Sequence, residues 1–332
     1  MKGRTAEGGF RRRDLLGATA AGLLGASTWS GALAEFQAPA SLGATPTPAR
    51  DADEAEVGRK LRECGLGEPG RLRSNHYLAL GDASESFMRS TLTDCELLSI
   101  AYFRHFEERG FEVRRPERPL LVVAFRDERS FGRYHGIPPT GGAQPVGIYD
   151  KVANTLSVFD WRNVPMASRA SNKNVQTVSH EGTHQLTFNS GLLDRQADVS
   201  LAIVEGLGTY GEPRKVLGES DLGRLNVQRV DDLAKLRRTV AWIPARDLLM
   251  DDAILRQGLF GRVLLAYAES WALVHYLLND KERRPGFRDY LKLARTRTTP
   301  EHRRADLERH LGDLDDLDRE LQAYAVRLVR SL

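Results

Sequence analysis

Cysteine is scarce in this chain. Two cysteines, Cys64 and Cys95, occur among 332 residues, which is too few for a disulfide framework and too widely spaced for a zinc knuckle. They could form one disulfide in an oxidising compartment, or remain separate thiols with Cys95 buried on a helix. The content of 41% hydrophobic and 28% charged residues argues against disorder, collagen and coiled coil, and it suffices for one large domain or two closely packed ones.

An excess of positive charge is also missing once the first residues are set aside. Five of the 48 Lys and Arg residues and two of the 45 Asp and Glu residues lie in residues 1–34, so 43 of each sign remain. A chain that begins at Glu35 would be neutral. Because a nucleic-acid-binding domain needs a basic surface, we expect no nucleic acid partner.

Long apolar runs are absent beyond the N-terminal region. No later segment offers the roughly 18 uninterrupted apolar residues of a membrane-spanning helix, so we expect no stable membrane span in the processed protein.

The N-terminal region itself predicts an export signal. In residues 1–34, the arginines Arg11–Arg13 precede a stretch of Gly, Ala and Leu that ends with a small-x-small pattern at Ala34. This order is typical of a twin-arginine signal peptide that is cleaved near Ala34. The protein would then be periplasmic, at the cell surface or extracellular. The alternative is an uncleaved membrane anchor, which the many glycine, serine and threonine residues of the stretch disfavour.

The rest of the chain divides into a linker and one folded unit. Residues 35–57 are rich in Ala, Pro and Thr and then acidic, which predicts a flexible linker. Residues 58–330 follow as one domain, with an α/β subdomain over residues 58–193 and a helical subdomain over residues 194–330.

Hydrophobic periodicity predicts the elements of this domain. In the first subdomain we expect strands at His76–Leu80 and Leu120–Phe125, a helix at Glu85–Arg109, a hairpin of Val146–Asp150 and Thr155–Asp160 with one face buried, and a helix at Val175–Phe188. In the second subdomain we expect helices at residues 196–211, 221–237, 259–279, 286–295 and 313–330. Strands that are followed by helices indicate the α+β class.

The chemically informative segment is His180-Glu181-Gly182-Thr183-His184. Histidines at positions i and i+4 lie about one turn apart on one helical face, where both imidazoles can bind one Zn²⁺ ion. A structural zinc ion would need a fourth protein ligand, and neither cysteine is near in the sequence. The catalytic pattern of three protein ligands plus water therefore fits better, with Glu181 as a candidate general base.

Glu205 is available as the third ligand, 21 residues after His184. It lies in an apolar stretch, where a carboxylate would more often be a helix cap or a salt-bridge partner. Gly206 and Gly208 favour the ligand hypothesis, because a glycine within a helix costs up to about 1 kcal/mol relative to alanine, which makes sense where two backbones must come close. Gly182 would serve the same approach. We therefore expect two tightly crossing helices.

These segments resemble the gluzincins, the MA-clan zinc metallopeptidases in which a second helix supplies a glutamate ligand. The run Glu205-Gly206-x-x-x-Tyr210-x-Glu212 looks like the E-G-x-x-x-Y-x-E of the aminopeptidase branch. The G-x-Y-D of Gly147–Asp150 and the Y-x-x-S-W-A-L-V of Tyr267–Val274 are similar to an uncharacterised group of exported bacterial gluzincin-like proteins. The resemblance covers roughly residues 74–330. It implies a zincin-like fold, in which a small mixed sheet and the active-site helix precede a helical subdomain.

The resemblance also implies roles for individual residues. His180, His184 and Glu205 would hold one Zn²⁺ per chain, and Glu181 would take a proton from the attacking water and return it to the leaving amine. The substrate would be a peptide or protein, which the edge strand Thr155–Asp160 would bind by strand addition. One departure concerns the group that orients a ligand histidine. Thermolysin-like members often carry an Asp one turn after the glutamate ligand, where this chain has Thr209.

Tyr267 occupies the position that resembles the catalytic tyrosine of aminopeptidases, which stabilises the oxyanion. The alternative is a core aromatic residue, since Tyr267, Trp271, Val274 and Leu278 share one helical face. Both interpretations stay open. We expect His275 to be a buried, hydrogen-bonded histidine.

Two functions compete at this point. The first is an exported zinc metallopeptidase, and the second is a non-catalytic extracytoplasmic zinc-containing binding protein on the same fold. Glu181 favours the enzyme, because a carboxylate beside the first histidine has no necessary structural task. A third possibility is a surface protein anchored by a retained leader. The G-x-M-x-N run with which aminopeptidases bind a free amine is absent, which slightly favours endopeptidase action, and the sequence predicts no oligomeric state.

Overall fold

The computed structural model describes residues 52–137, 146–164, 172–213 and 222–331. The predicted export signal and residues 35–51 of the predicted linker lie outside these ranges. The described strands are β1 (Gly70–Arg73), β2 (Tyr77–Gly81), β3 (Leu120–Phe125), β4 (Gly147–Asp150) and β5 (Thr155–Phe159). The described helices are α1 (Glu54–Glu63), α2 (Glu85–Glu108), α3 (Glu128–His135), α4 (Lys173–Asn189), α5 (Leu201–Gly211), α6 (Val227–Leu236), α7 (Ala245–Met250), α8 (Ala253–Gln257), α9 (Phe260–Asn279), α10 (Arg283–Ala294), α11 (Arg303–Leu311) and α12 (Leu314–Arg330).

The described strands form one mixed sheet of order β1-β2-β3-β5-β4. The central strands β2, β3 and β5 are parallel, and each outer strand pairs antiparallel with its neighbour. A small sheet is thus followed by helices, which confirms the predicted α+β class.

Helices cover both faces of this sheet because its strands are apolar on both sides. On one face, Val122 and Leu156 lie in a core that α2 and α4 complete. On the other face, Val123 and Phe125 pack in a smaller core with α1 and α3. Since α4 also packs against α5, the helix that carries His180 connects the sheet to the helical part of the chain.

The predicted hairpin is present, but its burial and its place in the sheet differ from the prediction. All residues of β5 are buried, because helices cover both sides of the sheet. β5 lies between β3 and β4, so the prediction that Thr155–Asp160 forms an edge strand is wrong. The outer strand on this side of the described sheet is β4. Its turn is stabilised by Asp150, whose Oδ1 accepts the N–H groups of Val152 and Ala153 at 2.8 and 2.9 Å.

The helical part is built around α5 and α9. All residues of α5 and most of those of α9 are buried, and the two helices pack directly against each other. The predicted helices at residues 259–279 and 313–330 match α9 and α12 within one residue, whereas α5 begins at Leu201 instead of residue 196. The short helices α1, α3, α7, α8 and α11 are absent from the prediction, because fewer than three turns show little periodicity.

The folded unit begins earlier than predicted. The predicted linker extends to residue 57, but α1 starts at Glu54, where the Asp53 side chain accepts the N–H of Glu56 at 2.8 Å. Val57 and Leu61 are four residues apart and both pack in the core beneath the sheet. This single apolar contact per turn holds an otherwise charged helix in place.

The two cysteines are separate free thiols, and Cys95 is buried on α2. Of the two possibilities left open by the sequence, the unpaired one is therefore present. Within the four described ranges, no helix combines the length and the apolar character needed to cross a membrane.

Candidate metal centre

The crossing of α4 and α5 brings three donor side chains together. His180 and His184 lie one turn apart on α4, with their Nε2 atoms 3.1 Å apart. Glu205 on α5 directs Oε2 toward both, at 3.4 Å from Nε2 of His180 and 3.7 Å from Nε2 of His184. All three side chains are buried. The structure thus unites the three ligands that the sequence predicts.

The spacing of these atoms fits one metal ion. Two atoms that bind zinc tetrahedrally at about 2.0–2.1 Å lie about 3.3–3.4 Å apart, close to the three separations measured here. Both carboxylate oxygens of Glu205 and the Nδ1 atom of His184 are buried without a hydrogen-bond partner. An ionised carboxylate in the interior needs a compensating positive charge, which protonated imidazoles or a metal ion can supply. The group His180, His184 and Glu205 can bind a metal ion.

Gly208 leaves room beside the donor atoms. It lies one turn after Glu205 on the same face of α5. A Cβ atom at this position would lie 2.7 Å from Nε2 of His184 and 3.0 Å from Cε1 of His180, so any larger side chain would displace the imidazoles. This glycine therefore meets a steric requirement of the site.

Other glycines let α5 approach its two neighbours. A Cβ atom at Gly211 would collide with Oγ1 of Thr183 on α4, and one at Gly206 would lie 2.5 Å from the carbonyl oxygen of Ser270 on α9. The predicted tight helix crossing is confirmed, and α5 is in fact closely packed on both sides.

Gly182 has a different role from the predicted one. A Cβ atom there would lie 2.8 Å from Cδ2 of Leu98 on α2. Gly182 therefore admits α2 to the side of α4 that faces away from α5. The sequence could not distinguish these neighbours, because both contacts require a small residue.

Glu212 orients His180. Its Oε1 atom lies 2.9 Å from Nδ1 of His180, and because a carboxylate only accepts, the imidazole donates from Nδ1 and presents Nε2 to the donor group. The resemblance located such an orienting group at position 209, whereas the structure has it one turn later, at the end of α5. Thr209 instead donates its hydroxyl to the carbonyl oxygen of Glu205 at 2.7 Å.

Glu212 is itself fixed by two residues, one within α6 and one at the N-terminal end of α6. Its Oε1 accepts from Nη2 of Arg229 at 2.9 Å, and its Oε2 accepts from Nδ2 of Asn226 at 2.7 Å. Burial would raise the pKa of the Glu212 carboxyl, but the charge of Arg229 and the contact with His180 hold it below its usual value. Neither Asn226 nor Arg229 has a sequence signal, since both lie in an ordinary amphipathic segment with no motif.

The donor group is electrostatically prepared for a cation. Burial would lower the pKa of His180, yet contacts with Glu205 and Glu212 and the nearby charge of Glu181 raise it well above its usual value. Burial would raise the pKa of Glu205, but His184 and His180 hold it below its usual value. The carboxylate is thus ionised, and the positive charge that it attracts onto the imidazoles can be a proton or a metal ion.

Glu181 lies beside the donors and contacts the hairpin. Its Oε2 accepts the backbone N–H of Tyr149 on β4 at 3.0 Å. Gly147 on the same strand permits this approach, because a Cβ atom there would lie 3.2 Å from Cγ of Glu181 and would collide with Thr177. The G-x-Y-D segment of the sequence is therefore in contact with the candidate base.

Tyr267 is connected to the candidate metal centre only through other residues. It is buried on α9, with its ring centroid 5.6 Å from the guanidinium carbon of Arg229. Arg229 in turn contacts Glu212, the partner of His180. His275, on the same helix, is the buried hydrogen-bonded residue predicted, with Nδ1 at 2.6 Å from the Tyr324 hydroxyl and a pKa that burial lowers to about 4.

Comparison with curated proteins finds no match for this chain. The segment that begins in α4 and ends after α10 includes the three donor residues together with Glu181, Glu212, Arg229 and Tyr267. This segment, residues 174–300, matches the family described as "Protein of unknown function (DUF1570)".

Proposed function

We propose that this protein is an exported zinc metallopeptidase of the gluzincin type, with a zincin-like fold. One observation carries the proposal. Two imidazole nitrogens and a carboxylate oxygen converge in a buried triangle, and the Glu181 carboxylate lies on the same helix beside them. Three protein donors and an adjacent carboxylate form the arrangement that metal-assisted hydrolysis requires.

The donor set supports zinc as the metal. Two imidazoles and one carboxylate suit zinc, whereas magnesium and calcium prefer oxygen ligands alone. Three protein ligands leave a coordination position open, which distinguishes catalytic from structural zinc sites. Bound by His180, His184 and Glu205, zinc would supply Lewis-acid activation of water and of a carbonyl group at neutral pH.

The residues of the chain perform the proton transfers in this proposal. Glu181 accepts a proton from the attacking water and then donates it to the leaving amine. Glu212 keeps His180 in the tautomer that presents Nε2. Tyr267 is proposed to donate its hydroxyl to the oxyanion, a role that rests on the resemblance of the Tyr267–Val274 run.

The proposed substrate is a peptide or protein in extended conformation. Strand addition would involve β4, because β5 is an inner strand. The lack of the G-x-M-x-N run supports endopeptidase action.

Metal analysis combined with peptide cleavage tests the proposal. We expect about one zinc ion per chain, and its loss in His180→Ala and Glu205→Ala. His76→Ala, which removes a histidine that pairs with Glu96 away from the centre, is the matched control and should retain zinc. Undiminished zinc in both ligand variants would refute the site.

Glu181→Gln separates the enzyme from the non-catalytic alternative. This variant removes the base but no ligand, so zinc should remain while hydrolysis falls by roughly 10²- to 10⁴-fold. If the zinc-loaded chain cleaves nothing in a diverse peptide library, the binding-protein hypothesis replaces the enzyme.

Export is testable independently. Replacement of Arg12 and Arg13 by lysine should block export, because a receptor recognises the twin-arginine signal and conserved charge does not substitute for it. The mature N-terminus should lie near Glu35. Normal export of the double-lysine variant would favour the general secretory route, and an intact N-terminus on the exported protein would favour the retained anchor.

A further inference from the structure

The β4–β5 hairpin approaches the candidate base with its backbone. The N–H group of Tyr149 donates to Oε2 of Glu181 at 3.0 Å. A hydrogen bond to an ionised carboxylate is stronger than one between neutral groups. The contact therefore restrains one oxygen of a side chain that could otherwise adopt several rotamers.

The Tyr149 side chain ties the hairpin to the C-terminal end of α4. Its hydroxyl donates to Oδ1 of Asn154 at 2.8 Å. Asn154 and Asn189 exchange amide hydrogen bonds at 2.7 and 2.8 Å, and Nδ2 of Asn189 also donates to the carbonyl oxygen of Gln185 within α4 at 2.7 Å. The hydroxyl of Tyr149 is thus linked to the backbone of the helix that bears Glu181.

Two further features of the hairpin accompany this link. Asn154 has φ of 56°, a left-handed conformation that asparagine tolerates better than most residues. The Tyr149 ring also stacks on Phe188 of α4, with centroids 6.0 Å apart and planes 14° apart. Two contacts of different kinds, polar and aromatic, therefore hold the same tyrosine against α4.

We propose that Tyr149 is a positioning residue for Glu181. Its side chain fixes the hairpin on the C-terminal part of α4. Its backbone N–H then holds the carboxylate of Glu181, which lies one helical turn or more before that part of α4, in one orientation. The role in hydrolysis rests on the proposed function, whereas the fixation of the carboxylate is a property of the chain itself. If Tyr149 only filled space in the hairpin, its hydroxyl would not be needed to hold Glu181.

The experiment uses the full chain labelled with ¹⁵N-tyrosine. The nine tyrosines give few backbone amide signals, and the signal of Tyr149 is identified as the one missing from Tyr149→Phe. Glu181→Gln replaces the charged acceptor by a neutral one, so the Tyr149 amide proton should shift upfield and its exchange with solvent should accelerate by roughly fivefold to tenfold.

Tyr149→Phe tests the side-chain link, and Tyr102→Phe is its matched control. Tyr102 is buried on α2, and its hydroxyl contacts Ser190 and Thr187 near the same end of α4 at 3.2 and 3.4 Å. With ¹⁵N-phenylalanine labelling, the amide of residue 149 in Tyr149→Phe should exchange faster by a similar factor, and kcat should fall roughly tenfold to a hundredfold with little change in KM. Tyr102→Phe should leave both quantities unchanged.

The outcomes are distinguishable. A Tyr149 amide that does not respond to Glu181→Gln would overturn the contact, and a Tyr149→Phe variant that behaves like Tyr102→Phe would overturn the side-chain link. If the chain hydrolyses no peptide, the proposed function fails, but the amide measurements still decide whether Tyr149 fixes Glu181.

Discussion

Nδ1 of His180 lies 2.9 Å from Oε1 of Glu212, 32 residues later in the chain. This contact determines which nitrogen of the imidazole faces the other donors. It also connects the candidate metal centre to α6, because Arg229 binds the same carboxylate oxygen.

The first prediction concerns Glu212→Gln. The neutral amide is a weaker acceptor for the imidazole N–H, so zinc affinity should fall by roughly 10- to 100-fold in competition with a chelator. Asp232→Asn is the matched control, since Asp232 also faces Arg229, at 3.6 Å, and belongs to another part of the network. Both variants should lose stability, but only Glu212→Gln should lose metal affinity. Equal affinities would contradict the orienting role.

Gly208→Ala should abolish stoichiometric zinc binding although it removes no ligand. The added methyl group would lie 2.7 Å from Nε2 of His184 and would force the imidazole away from Glu205. Gly261→Ala on α9 is the control, because its Cβ would lie 3.4 Å from Val240 and the change should be tolerated. The zinc contents of the two variants, measured by mass spectrometry, test this prediction. A Gly208→Ala chain with one zinc ion would show that the donors are arranged differently.

Tyr267→Phe separates the catalytic from the packing interpretation of this residue. The ring, and with it the contact to Arg229, is retained, so the midpoint of thermal unfolding should change little. If the hydroxyl stabilises the oxyanion, kcat should fall roughly 10²- to 10³-fold while zinc content and KM stay near their original values. A variant with unchanged kcat would make Tyr267 a core aromatic residue.

Glu269 should make stability depend on pH. It is fully buried on α9, where Ile243 donates its N–H to Oε1 at 3.3 Å, and burial raises the pKa of the carboxyl to about 9. The native state therefore retains a proton that the unfolded chain loses near its ordinary pKa. The contribution of Glu269 to the free energy of unfolding is fully present below the pKa of the unfolded chain and decreases as the pH rises toward about 9.

Comparison with Glu269→Gln isolates this contribution. Relative to the wild type, the variant should gain at least ~1 kcal/mol in the free energy of unfolding between acidic and weakly alkaline pH. The difference between the two denaturation curves removes the effect of all other titrating groups. A constant difference across this range would show that Glu269 is ionised in the folded protein.

The sequence predicted those parts of the centre that repeat at helical spacing. His180 and His184 share one face of α4, and the glycines near Glu205 indicated a close helix contact. The helices that pack against these residues could not be predicted from the sequence. Whether Gly182 faces α5 or α2 depends on which helix lies on each side of α4, and a single sequence does not contain that information.

Residues that act through long-range contacts were missed for a related reason. Arg229 and Asn226 contact Glu212 only because α6 packs beside the end of α5, and their local pattern is that of an ordinary amphipathic helix. The order of the strands was also mispredicted at β5. The alternation of its residues gives the hairpin, but the place of a hairpin within a sheet depends on pairings between distant segments.

The donor triangle has a thermodynamic consequence, because its members come from two parts of the chain. His180 and His184 belong to the helix that covers the sheet, whereas Glu205 belongs to the glycine-packed helix at the centre of the helical part. An ion bound by all three is a noncovalent crosslink between these parts, present in the native state and absent from the unfolded one. At a free ion concentration of 100 times Kd, such linkage adds about 2.7 kcal/mol to the free energy of unfolding. The sheet and the helical part should then unfold at a common temperature that depends on the metal. The rise of this melting temperature with the concentration of free ion would report the affinity of the site.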